Sequence, residues 1–200
     1  RRVWGMATHN GRLYYATQSA PQIWSVGIAD DGSFANDAKL EFDVKELSSN
    51  GPITDLLFDS SGMIYLAQRG PQTTSFNFSQ LAEPGVAIVA RYVRSQDDPS
   101  IWEAAPDYYA VGMPPEHEAA NGGVALGYGH NEEGETRVGR CHGTVWSTGG
   151  RLVASDSSAE TPADIHGLQG NSVNLTQPEN VPPLASYFVD YDGQTGDPEK

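Results

Sequence analysis

Apolar and polar positions alternate along this chain in short runs, and the runs are separated by turns rich in Gly, Asp and Asn. "LYYA" at Leu13, "QIWSV" at Gln22, "DLLF" at Asp55, "IYLA" at Ile64 and "VAIVARYV" at Val86 are runs of this kind. Each is too short for a stable helix, and each is enriched in aromatic or β-branched side chains that suit a pleated, half-buried surface. The pattern predicts an all-β fold of short strands.

The runs recur in a fixed order. With Ala16, Ala67 and Ala154 in register, the segments Leu13-Tyr14-Tyr15, Ile64-Tyr65-Leu66 and Arg151-Leu152-Val153 align, and the turns "HNG", "SSG" and "STGG" align before them. Glycine closes each turn because it accepts positive φ without a Cβ penalty. A second half follows: "QIWSVGIADDGSF" at Gln22, "VAIVARYVRSQDDPSIW" at Val86 and "ASYFVDYDGQTG" at Ala185 each run from an apolar strand into an Asp-rich turn. Strand, tight turn, strand, variable connection, strand, acidic turn, strand is a four-stranded antiparallel meander. The expectation is one domain over 1–200, a β-propeller fragment of about three blades. The blades span about 1–47, 52–112 and 140–200, with an inserted loop over 113–139 and no clear fourth strand in the last blade. A β-sandwich of generic hairpins is the alternative.

The unit "ITDLLFDSSGMIYLAQRG" resembles the blade of six-bladed propellers of the NHL, SMP-30/gluconolactonase and soluble sugar dehydrogenase-like group. The resemblance covers the second copy well, the first fairly and the third loosely. It implies fold and not activity, since such blades serve many chemistries. Three blades do not close a ring of six, so the remaining blades are expected from the parent chain or from a second copy.

Composition narrows the function classes. Twelve Lys and Arg against 26 Asp and Glu give a net charge of −14, which argues against nucleic-acid binding. No apolar run is long enough for a transmembrane helix. The single Cys141 excludes an internal disulfide and a multi-cysteine zinc site. Charge and scarce thiols point to an extracytoplasmic location, secreted or periplasmic. Two glycosylation triplets begin at Asn77 and Asn174.

In a propeller the connections between second and third strands, and those between blades, share one face. Here the connections that lengthen are of these two kinds, so that face is the expected binding surface. The repeat register places Trp4, Asp55 and His142 at equivalent points near the start of the first strand. Gln18, Arg69 and Asp156 fall just beyond the second strand, and His166 lies in the longest connection. These seven residues are the candidate ligand-binding set, with Asp55 and His142 the candidate metal pair and calcium the possible ion. His117 between Glu116 and Glu118, and His130 near Glu132 and Glu133, lack any diagnostic ligand spacing. "ADDG" and "DYDG" resemble the openings of calcium loops, but Asp-Gly is ordinary turn chemistry.

Nucleophilic catalysis finds no support. There is no G-x-S-x-G elbow, and Cys141 and His142 are adjacent, which on a strand points them to opposite faces. "NGGVALGYGHNEEG" lacks the third Gly and the Lys of a phosphate cradle, and reads as an extra hairpin. The expectation is a module that binds a ligand or protein partner through its long loops, with no catalysis of its own. The alternative is a lactonase or sugar dehydrogenase-like enzyme with a metal or cofactor at the channel mouth, as the resemblance allows.

Overall fold

The computed structural model describes residues 2–17, 21–45, 51–75, 82–83, 85–105, 108–112, 117–128, 143–150, 152, 165–174, 176 and 186–191. Within them the chain is all-β. Twelve strands form three four-stranded antiparallel sheets, each a blade-like meander. The first sheet holds β1 (Val3–His9), β2 (Arg12–Thr17), β3 (Gln22–Gly27) and β4 (Lys39–Asp43). The second holds β5 (Ile53–Phe58), β6 (Ile64–Gln68), β7 (Val89–Arg94) and β8 (Trp102–Ala104). The third holds β9 (Ala120–Gly127), β10 (Thr144–Gly149), β11 (Gly167–Ser172) and β12 (Ser186–Asp190).

Local chemistry sets the turns. His9 pairs with Arg12 across a two-residue loop in which Asn10 and Gly11 both have positive φ, 47° and 72°. That loop matches the right-handed twist of the strands it joins. Three other turns share an Asp-x-Ser device. Oδ1 of Asp31, Asp59 and Asp98 accepts the backbone N–H of Ser33, Ser61 and Ser100 at 2.9, 2.8 and 2.9 Å. The same oxygen accepts each serine hydroxyl at 2.7 Å. Asp31 of "ADDG" is therefore a turn residue, bonded within its own loop.

The sheets stack in chain order. β1 packs against β5, and β5 and β6 against β9. Side chains of the middle sheet alternate between its neighbours: Ile64 and Leu66 belong to the core shared with the first sheet, Tyr65 and Ala67 to the core shared with the third. All five residues of β6 are buried for this reason. A strand covered on both faces loses the apolar–polar alternation of a surface strand.

The third sheet differs from the sequence expectation. Its first strand is β9, inside the segment expected as an inserted loop over 113–139, so the sheet begins well before 140. β10 pairs with β9 on one side and β11 on the other, which makes it a second strand and not a first. Ser186–Asp190 is the fourth strand, which the repeat had treated as the third. The reason is glycine. Gly122, Gly123 and Gly127 set the segment apart as an extra hairpin in the insertion, yet a methyl group on each would collide with Thr54, Thr148 and Trp146 respectively, and the strand belongs to the third sheet. Close packing demands those glycines.

Candidate functional site

All three inner hairpins carry a register irregularity at the same end. It falls between Val3 and Met6, between Ile53 and Asp55, and between Ser147 and Gly149 opposite β9. Bulges re-aim side chains at the ends of strands and are common beside functional sites. This end is where the first and third strands begin, hence where the β2–β3, β6–β7 and β10–β11 connections emerge.

The irregular segments lock together in series. Gly5 lies so close to the Asp55 backbone that a Cβ there would sit 3.0 Å from the Asp55 nitrogen. Thr54 Oγ1 donates to the Gly122 carbonyl at 2.7 Å, and the Val124 N–H donates to Asp55 Oδ2 at 3.0 Å. Gly122, at φ 85°, lies against both Thr54 and Arg69, with no room for a side chain. Asp55 thus closes the exposed edge of β9, satisfying an N–H that an inner strand otherwise leaves open.

The structure brings three of the sequence-predicted residues to this region. Asp55 sits at its centre, Arg69 flanks it at the end of β6, and Trp4, 38% exposed, precedes the glycine that abuts Asp55. Among the described residues Arg69 has no carboxylate within ion-pair distance. His166 is exposed at the start of β11, beside Gly150, and its carbonyl accepts the Tyr191 N–H. It shares the end of the sheets but belongs to a strand two places out from β9. Gln18, His142 and Asp156 lie outside the described residues.

The equivalence drawn between Trp4, Asp55 and His142 does not hold. Thr8 pairs with Leu13, and Phe58 with Ile64, so the second hairpin has one residue more in its turn. Gly5, not Trp4, is then the counterpart of Asp55, and in the third sheet the counterpart is Gly123. His142 leads into a second strand, which removes its equivalence with Trp4 and Asp55.

As to metals, no group of three His, Cys, Asp or Glu side chains converges among the described residues. His117 is buried with φ 54°, and its Nδ1 is 2.8 Å from the Gly112 carbonyl, an engagement that holds a loop turn. Thr54 and Gly122 were missed by sequence reasoning. A bulge has no residue signature strong enough to show them, although paired glycines inside an alternating run are the available hint.

A groove of about 520 Å³ runs from Asp55 over Gly123, Ala125, Trp146, Leu168 and Val189. It starts at the loop-bearing end and follows the broad outer face of the third sheet, and its lining is mostly apolar. No protein-family model matches this chain, and no curated protein matches it.

Proposed function

We propose that this chain is a β-propeller-type binding module, acting outside the cytoplasm, that takes a ligand or protein partner at the loop-bearing end and performs no catalysis of its own. One observation carries the reading most: the inner strands lock in series at that end. This lock gives Asp55 a structural task and sets Trp4 and Arg69 beside it. A rigid scaffold under long connections is the usual construction of a binding surface. An aromatic ring and a guanidinium are the side chains best suited to anchor a partner there. The likeness of residues 53–70 to the NHL, SMP-30/gluconolactonase and soluble sugar dehydrogenase-like group belongs to the same proposal. That unit folds as the β5–β6 hairpin, whose Asp59 turn and Gly62 at φ 87° give the motif a physical basis.

The test pairs metal analysis with binding. Purified protein is assayed for calcium and other metals, then titrated with basic peptides and with a panel of sugars and lactones at low and high salt. The expected result is salt-sensitive binding of a basic partner, weakened by Trp4→Ala or Arg69→Ala, with no turnover of any lactone or sugar. Stoichiometric metal lost in both Asp55→Ala and His142→Ala, together with turnover, overturns the reading in favour of the enzyme.

A further inference from the structure

Both end sheets present a broad apolar face that meets no other sheet of the described residues. On the first sheet Met6 pairs with Tyr15 and Leu13 with Val26, and all four side chains point away from the second sheet. Met6 is 59% exposed, and Leu40 on the outermost strand is 41% exposed. On the third sheet Ala125 pairs with Trp146, Thr148 with Leu168 and Leu168 with Val189, again on the side away from the second sheet. Val189 is 46% exposed. None of these positions is charged, although the chain carries −14. Depletion of charge over a contiguous apolar face is the compositional mark of an interface.

The chain itself shows what such faces receive. Met6 and Tyr15 correspond in register to Leu56 and Leu66, which bury against the preceding sheet. Trp146 corresponds to Tyr14 and Tyr65, which bury against the following one. Tyr14 does so edge-on to Phe58, with ring centroids 4.7 Å apart. The open face of the first sheet is therefore of the kind that receives a preceding sheet. The open face of the third is of the kind that receives a following sheet. A second copy of this chain supplies both kinds at once.

We infer that two copies associate head to tail, the Trp146 face of each packing on the Met6 face of the other. The contact is heterologous, and a twofold axis repeats it so that six sheets close on themselves. This assembly goes beyond the binding reading and does not require any ligand at the loop-bearing end.

Light scattering after gel filtration tests it on the 200-residue chain and two variants, Met6→Glu and Val189→Glu. Both positions are exposed, so the fold is expected to survive, and the far-ultraviolet strand signal checks that it does. The expected wild-type mass is twice 21.5 kDa. Each variant alone is expected to lose self-association by about 30-fold or more, as for a charge placed in a central contact. Mixing the two variants is expected to restore a mixed dimer, because one contact then joins two intact faces. A wild-type monomer at about 100 µM overturns the proposal. So does dissociation in only one variant, which means a like-with-like contact, or an open-ended series of larger masses.

Discussion

The first and second sheets meet through large rings, whereas the second and third meet through small side chains, amides and tyrosine hydroxyls. In the first contact Tyr14, Phe42, Phe58, Tyr92 and Trp102 cluster, with Phe42 4.7 Å from Tyr92 and 5.4 Å from Trp102. One charged knot sits at its outer edge. Glu41, with a side chain 1% exposed, accepts from Ser25 Oγ, from Arg94 at 2.9 Å and from Trp102 Nε1 at 3.1 Å. Arg94 lies over the Trp102 ring at 4.1 Å. In the second contact Ala67, Ala87, Val89, Ala120 and Val145 bring backbones close together. Polar groups then match one another: Gln169 accepts from the Gly112 N–H at 2.7 Å and donates to the Ala110 carbonyl at 2.9 Å. Arg91 and Tyr109 both donate to the Val173 carbonyl. One architecture is joined in two ways, by apolar bulk and by polar matching. Bulk tolerates imperfect fit, while matching fixes one arrangement and penalises any orphaned group.

Removing the largest ring should strike hardest. Trp102→Ala is expected to cost about 3–5 kcal/mol, because it empties the centre of the aromatic cluster and takes one donor from Glu41. Urea unfolding followed by circular dichroism measures this, and a loss below about 1 kcal/mol would mean that the two contacts do not differ as described. Glu41→Gln is expected next, at about 2 kcal/mol, since it discharges the buried carboxylate that faces Arg94. Gln169→Leu is expected to cost about 1–2 kcal/mol by leaving the Gly112 N–H without its side-chain acceptor and taking one of two donors from the Ala110 carbonyl, which Asn171 still reaches. Its effect should appear as faster hydrogen exchange around residues 109–112 and in β11, with β1 and β2 unaffected.

The smallest expected effects separate the two contacts by pH. Burial alone would raise the Glu41 carboxyl. The hydrogen bonds from Ser25 and Trp102 and the charges of Arg94 and Lys39 outweigh burial and hold it below its ordinary value. A lowered folded value means that the stabilisation is present above the ordinary carboxyl range, near pH 4–5, and is lost as pH falls through the lowered value. Burial and the neighbouring Tyr65 push the Tyr109 hydroxyl well above its usual range, with Arg91 opposing. Burial and Asp59 raise Tyr65 likewise, again against Arg91. Raised values mean stabilisation that is intact below about pH 10 and lost as pH climbs beyond it. Mild acid is therefore expected to loosen the first contact and alkali the second. Exchange measurements that find both limbs in the same contact would contradict the division.

The same contrast explains what the sequence made legible. Strands that pack through rings advertise themselves: "LYYA", "QIWSV" and "DLLF" stand out as runs, and the first two sheets were readable with their turns and order. The third sheet pairs through Gly170 and Asn171 and is irregular at Gly122 and Gly123, residues that also mark turns, so β9 reads as part of an insertion and β10 as a first strand. Gly149-Gly150, which looked like a hairpin turn, ends β10 instead. The candidate site was legible at Asp55 and Arg69 because both sit at strand ends in a clear repeat. Its partners Thr54 and Gly122 were not, since a one-residue difference in turn length shifts the register and the lock depends on it.

The lock between Asp55 and β9 is the claim on which the order of the sheets and the rigidity of the loop-bearing end both depend. Amide hydrogen exchange at Val124, measured by nuclear magnetic resonance in the wild type and in Asp55→Ala, tests it directly. A slow Val124 amide that exchanges at least about 10-fold faster in the variant, while Val145 and Ala125 stay protected, is the expected result. Unprotected exchange at Val124 in the wild type, or identical rates in the two proteins, would contradict it.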